Sequence, residues 1–356
     1  MAKVSIAKNH PWSPPKNGLA ISPLLQSHYL RFNSEVVPAT AAKLLNEALG
    51  QPLVNKNQGR RLIELYGRHE AVIHALITPL SKAAEQRPVL RVVRNKAIPQ
   101  EDVIYAMFDG VLLPYNDGYH ETKVGRDFLG RHIVSDERKC AEAINHRRRV
   151  ENSEYVACEG HYSEFTKQFT PLVKATQQRE KPEVPTVVIT DGAIWMADYI
   201  ARGFPKATHI LDFFHAFEHL AEFAALCWPR LQDRKAILER WKDELRNGKV
   251  ADILNEVLTC LHNDRTKIVE LATGLATYLR NNLTHMAYAH YRAKGYLVGS
   301  RAIESAARSV VQQRYKQTGQ RWGQGGAKAV LNIRAMYQGG KHNRMDKIIL
   351  VNGVVA

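Results

Sequence analysis

Cysteine is scarce in this chain of 356 residues: there are four, Cys140, Cys158, Cys227 and Cys260, far apart and with no Cys-x-x-Cys pair. That pattern argues against a structural zinc finger and against a disulfide-stapled secreted scaffold, and it suits a reducing cytosol. Long hydrophobic runs are also missing, so no segment has the ~20 apolar residues that a membrane span needs. The opening MAKVSIAKNHPWSPPKNG contains no apolar h-region of a signal peptide. No internal repeat or low-complexity tract is apparent. Acidic residues are the remaining shortage, 35 Asp+Glu against 50 Lys+Arg, which leaves a net charge of +15 and a pI near 9.6.

Such a balance either keeps a protein soluble or serves a polyanionic partner, because clustered cations bind phosphates by releasing counterions. Its distribution favours the second reading. Residues 1–100 carry +9 and residues 292–356 carry +10, so the middle of the chain is at −4. Basic ends flank a slightly acidic centre that holds the carboxylates of interest, as expected of a protein with a nucleic-acid partner.

Hydrophobic content of 45% and a mean hydropathy of −0.34 are those of a globular chain long enough for a large core and further domains. Residues 1–22 read as an extended arm. Helices are predicted over Thr40–Leu49 and Arg60–Lys82, either a helix-turn-helix reader of DNA ends or an ordinary helical support. Asn95–Glu101 reads as a linker. Val103–Leu113 is a strand, Pro114–Gly118 a turn and Tyr119–Val124 a returning strand, with a third strand around Tyr155–Cys158. Tyr162–Lys174 is helical, and strands follow at Val184–Thr190 and Thr208–Leu211 with a short helix between them.

This order predicts an α/β fold with a mixed sheet: the first three strands meander and the later ones run parallel to the first. Helical periodicity then continues through Arg230–Arg246, Val250–His262 and Lys267–Leu283. The expected organisation is a basic helical N-terminal region (1–100), the first part of an α/β core (101–220) and an all-helical insertion (221–298). A core-completing helix with a basic tail (299–356) ends it.

Three strands end in a carboxylate. Asp109 follows Tyr105–Phe108, Asp191 follows Val187–Thr190, and Asp212 follows Thr208–Leu211. In an α/β sheet such endings present acids at the carboxyl edge, where ligands bind. Gly110 and Gly192 follow two of them, leaving room for close approach. Taken singly, each Asp-Gly is most simply a turn. Together with Glu304, the lone acid near the start of the basic helix within Gly299–Trp322, they read as one site. Three unpaired carboxylates would repel one another without two Mg²⁺ or Mn²⁺ ions, hard cations suited to oxygen ligands and to phosphodiester chemistry.

The segments FDGV, ITDGA, ILDFFHAFEHL, AIESAARSVVQQRYKQTGQRW and GAKAVLNIR resemble insertion-sequence transposases of the ISKra type, over roughly 103–334. Those belong to the DDE group, whose catalytic core is ribonuclease-H-like. The resemblance implies that Asp109, Asp191 and Glu304 are the three catalytic acids. It also implies that Asp212 and His215 form an accessory Asp-x-x-His element, that the helical block after Leu220 is an insertion domain, and that the protein works as an oligomer on paired DNA ends in a prokaryotic cytoplasm. Arg301 departs from the pattern, standing where relatives have a glycine.

His215 and His219 have the i, i+4 spacing of a zinc site but no third ligand at a familiar spacing, so His219 reads as core or capping. Arg301, Arg308, Arg314, Lys316 and Arg321 are candidate phosphate contacts beside the site. Trp322 is a base-stacking platform or a core aromatic.

Overall fold

The unbroken apolar run from Val103 to Phe108 leaves no face of a strand fit for water, so it belongs inside a sheet covered on both sides. In the computed structural model, which describes residues 19, 21–82, 102–136, 147–262, 265–318 and 320–354, this run forms most of the first half of β1 (Ile104–Tyr115), the central strand of five. β1 turns back antiparallel onto β2 (Gly118–Leu129) through a turn in which Gly118 takes φ +134°, a conformation that favours glycine. β2 pairs antiparallel with β5 (Glu154–Glu159). On its other side β1 runs parallel to β6 (Thr186–Thr190), which runs parallel to β7 (Thr208–Leu211). The order β5-β2-β1-β6-β7 is the mixed sheet expected from the sequence.

One further pair was not foreseen. Arg147–Arg149, expected only as a charged connection, lies in β4 (Arg147–Val150), which pairs with β3 (Ile133–Asp136) in a separate two-stranded ribbon. Three consecutive arginines hide any alternation, and the pairing is settled by the partner strand instead.

Alternation along β1 divides the core in two. Ile104, Ala106 and Phe108 join Val188 against α5 (Tyr162–Arg179) and α6 (Ile194–Gly203). Tyr105 and Met107 join Val187 and Ile189 on the opposite face, under α7 (Phe213–Cys227) and α12 (301–315). Helix α12 begins as Arg301–Ala306, loosens into a π-helical stretch over Ala307–Gln312 and closes with Gln313–Tyr315. π-Helical turns of this kind often lie at functional sites.

Between these two helices lies the all-helical insertion: α8 (Leu231–Arg246), α9 (Val250–Thr259), α10 (Thr266–Asn282) and α11 (Tyr288–Ala293). Its centre is Trp241, fully buried beside Phe223 and Trp228, with the indole Nε1 donating to Glu256 Oε2 at 2.8 Å.

The two ends of the chain depart most from expectation. Ahead of the sheet stand four helices, α1 (Pro23–Glu35), α2 (Pro38–Leu49), α3 (Lys56–Gly67) and α4 (Glu70–Ile77). The single helix predicted over Arg60–Lys82 is thus two. Gly67 is the last residue of the first and lets Ala329 approach, since a Cβ there would meet the Ala329 backbone at 2.4–2.7 Å, and the His69 ring accepts from Ala71 N to cap the second. Pro79 disfavours helical backbone at Thr78, so the second stops at Ile77. The basic tail expected after Trp322 is instead two helices, α13 (Gln324–Gln338) and α14 (His342–Val354), which bury Ala327, Leu331, Ile333, Met336 and Met345.

α3 and α4 pack on α13, and α1 packs on α14. Asn332 donates to Gly67 O at 2.8 Å, and the buried Arg334 donates to Val310 O at 2.7 Å while pairing with Glu35. The described parts of the two basic ends therefore pack together as one helical support that carries α12. The arm over residues 1–18 and the linker Asn95–Glu101 lie outside the described residues.

Candidate active site at the carboxyl edge of the sheet

Strand register brings the acids level. Ile104 pairs with Thr186 and Met107 with Ile189, an offset that two residues further on sets Asp109 beside Asp191. Thr190 pairs with Leu211, and one residue further on Asp191 stands beside Asp212. Three successive strands of the same direction therefore present an aspartate at one level. Asp109 has the phase of Tyr105 and Met107, so it faces α7 and α12 rather than α5.

Each aspartate is held differently. Asp109 Oδ1 accepts from Gly110 N at 2.7 Å. Asp191 Oδ1 accepts from Ala193 N at 3.1 Å, closing the turn into α6. Asp212 is 1% exposed and fully engaged. Its Oδ1 accepts from Phe214 N and His215 N at 2.6 and 3.0 Å, capping α7, and its Oδ2 accepts from Ser300 N at 2.5 Å. Asp212 thus ties the start of α7 to the residue that precedes α12, and Phe213 N reinforces the tie by donating to Val298 O at 2.8 Å.

Glu304 sits on the first turn of α12, exposed, with Ser300 Oγ donating to its Oε1 at 3.3 Å. The helix is set over β1 and β2 by Arg126, buried in β2, whose Nη1 donates to Ala302 O at 2.6 Å and whose Nε donates to Ser153 Oγ at 2.8 Å.

Electrostatics shows that the acids share a neighbourhood. The Asp109 carboxyl is raised to about 6, by burial first and then by the charges of Asp191 and Glu304, against the downward pull of its bond from Gly110 and of the nearby His215. No described Lys or Arg pairs with any of the three acids. Among the described residues, however, no three of His, Cys, Asp and Glu converge closely enough to hold one ion.

The glycines after the acids are occupied by the protein itself. A Cβ on Gly110 would meet Glu121 Oε1 at 2.0 Å, and Glu121 in turn pairs with the buried Lys123 at 2.9 Å. Gly192 takes φ +92°, and a Cβ there would meet Leu211 Cδ1 at 2.6 Å.

Of the residues expected to contact phosphates, Arg301, Arg308, Lys316 and Arg321 are exposed, with the Arg301 guanidinium 5.6 Å over the Phe214 ring. Arg314 is a correction, and Trp322 takes the second of its two expected readings. Arg314 is 1% exposed, its guanidinium 4.9 Å over the Trp322 ring, and burial lowers its pKa to about 10. Trp322 is stacked on Tyr315 at 4.1 Å and donates from Nε1 to Tyr315 O, which makes it a core aromatic. Both lie on the inward side, where α12 meets the helical support. The His215 and His219 rings meet edge to face with centroids 4.7 Å apart, and each lies beside a glutamate, Glu218 and Glu222. His219 is partly buried against Tyr278, and burial lowers its pKa.

Three residues at the site carry no signal in the sequence: Ser300, Arg126 and Tyr278. Tyr278 comes from the insertion, and its hydroxyl donates to the Asp191 carbonyl at 3.1 Å. A helix periodicity marks it as one apolar position among many.

The family model for UPF0236, an uncharacterised protein family, matches residues 54–349, so the chain belongs to that family. No curated protein matches it. Among the described residues, no helix is long and apolar enough to cross a membrane.

Proposed function

We propose that the chain is a DDE transposase with a ribonuclease-H-like core, in which Asp109, Asp191 and Glu304 are the catalytic acids. The observation that carries this reading is the register that sets Asp109 level with Asp191 on adjacent parallel strands, beneath the helix bearing Glu304. The sheet order, three antiparallel strands followed by two parallel ones with helices on both faces, agrees with such a core. The raised Asp109 carboxyl fits a donor set built for cations, since like charges crowd one another until something positive relieves them.

Two Mg²⁺ or Mn²⁺ ions held by these acids would supply the positive charge that phosphodiester cleavage needs at the attacking and leaving oxygens. The residues supply the rest. Asp109 and Asp191 are fixed by strand register and by their own turns, so two of the three carboxylates are already placed. Glu304 joins them when its side chain leaves Ser300, a change open to an exposed side chain at the start of a helix. Arg301, Arg308, Lys316 and Arg321 bind the DNA backbone beside the site and steer it by charge. The reaction is hydrolysis at the element's ends, followed by attack of the freed 3′-hydroxyl on target DNA, by an oligomer holding paired ends at the nucleoid.

A second reading, a non-catalytic DNA-binding relative of such enzymes, draws on one observation: the three carboxylates do not converge to ligand distance among the described residues. The deciding experiment is a Mg²⁺- or Mn²⁺-dependent cleavage and strand-transfer assay on DNA carrying the gene's own flanking repeats, with Glu304→Gln beside the wild type. Joined products that vanish in the variant support the transposase. Cleavage without joining identifies a nuclease of the same fold, and binding without cleavage in either protein sinks the catalytic reading.

A further inference from the structure

We infer that Tyr278 is the positioning residue for Asp191, so that the helical insertion holds the second acid in place. This rests on the reading of Asp191 as catalytic for its functional consequence, but its structural part stands alone.

The Asp191–Gly192 turn is gripped from two sides. From the sheet, Leu211 presses on Gly192, where a Cβ would meet its Cδ1 at 2.6 Å. From the insertion come two residues one helical turn apart on α10. The Tyr278 hydroxyl donates to the Asp191 carbonyl at 3.1 Å, and the ring's Cε2 lies 3.3 Å from where a Gly192 Cβ would be. Asn282 Oδ1 lies at the same distance from that point, and Asn282 Nδ2 donates to Tyr278 O at 2.9 Å. Gly192 has φ +92°, a backbone state that glycine adopts without strain and that a side chain at this position would not.

The acid's own side chain is spent on the same turn, since its Oδ1 accepts from Ala193 N. The main chain at Asp191 therefore has one anchor from outside its own loop among the described hydrogen bonds, and that anchor is Tyr278. The ring is itself braced: the His219 ring lies tilted against it with centroids 4.6 Å apart, and His215 meets His219 edge to face.

The consequence is a mechanical link. Any shift of α10 relative to the sheet moves the backbone under Asp191, and small misplacements of a catalytic group cost large factors in rate. The insertion is thereby coupled to the site through a hydrogen bond and one ring contact, with no residue of its own needed in the chemistry.

The test separates the clamp from the chemistry. Tyr278→Phe keeps the ring and removes the bond. Hydrogen exchange of the Gly192, Ala193 and Ile194 amides is then expected to rise about tenfold while protection elsewhere and the melting temperature stay as in the wild type, the loss of one hydrogen bond being a local matter. Unchanged protection of those amides overturns the clamp, whatever the protein's activity. Where the wild type cleaves DNA, the same variant is expected to lose about tenfold in kcat with KM for DNA unchanged and to need more Mn²⁺ for half-maximal rate. Equal kcat and metal requirement overturn the functional link. A wild type that cuts no DNA removes the transposase reading and leaves the exchange result to decide the clamp.

Discussion

The sheet carries two acidic clusters on opposite faces, and they are built on opposite rules. Behind β2, Asp127 and Glu154 are buried with cations in place: Lys341 Nζ lies 2.8 Å from Glu154 Oε2 and donates to Ala75 O and Leu76 O, and the Arg179 and Lys341 charges reach Asp127. Burial nonetheless lifts the Asp127 carboxyl to about 8, and Thr176 donates to its Oδ2. At the carboxyl edge, Asp109 has two more acids for neighbours and only His215 to offset them. The first cluster joins β2 and β5 to the helical support and is balanced within the fold. The second is left unbalanced at the sheet's edge, and that imbalance is what the proposed cation site rests on.

The sharpest way to break the contrast is Asp191→Asn. Cleavage and joining are expected to fall at least about a thousandfold while the fold survives, since one oxygen acceptor of a two-ion site is lost. A variant as active as the wild type in the same assay makes the edge cluster structural after all.

Lys341→Met probes the balanced cluster. It leaves Glu154 and Asp127 facing each other in the core, and urea unfolding is expected to show a loss of about 3–5 kcal/mol, partly restored by adding Glu154→Gln. A loss below about 1 kcal/mol would erase the difference between the clusters.

Asp109→Asn should act in the other direction. In the fold Asp109 keeps its proton up to about pH 6, whereas the unfolded chain releases it near 3.8. Between those values the folded protein binds more protons, so stability falls as pH rises and the full penalty is present above 6. Removing the charge should therefore stabilise the protein at pH 7 by about 2 kcal/mol, with the gain disappearing below pH 4. Thermal melts across that range check the sign. A Mg²⁺-dependent rise in wild-type melting temperature, absent in the variant, would sharpen the case for cations at the edge.

The smallest effects belong to the surface. Arg308→Ala and Lys316→Ala should each weaken DNA binding a few-fold and lower the slope of log affinity against log salt by about 1, read by titration at several salt concentrations. Arg314→Ala, on the buried side of the same helix, should instead lower the melting temperature and leave the salt slope alone.

Most of the sheet and insertion could be read from local pattern, because fully apolar runs such as Val187–Ile189 admit only a covered strand and the insertion helices keep a clean 3.6 period. The site was legible in its acids, since Asp109, Asp191 and Asp212 each end an apolar stretch. It was not legible in what holds them. Ser300, Arg126 and Tyr278 lie far from those acids along the chain, and they act through backbone groups that no residue pattern records.

The sequence by itself therefore determined the strands of the main sheet, the insertion helices and which apolar stretches run into an acid, for these follow from hydrophobic period. Only the tertiary structure decided the rest: that the two basic ends are one helical support, that Arg314 and Trp322 point inward, and that an insertion residue grips the second acid. Each of those depends on contacts between distant segments, and periodicity carries information about which face of an element is buried, not about what buries it.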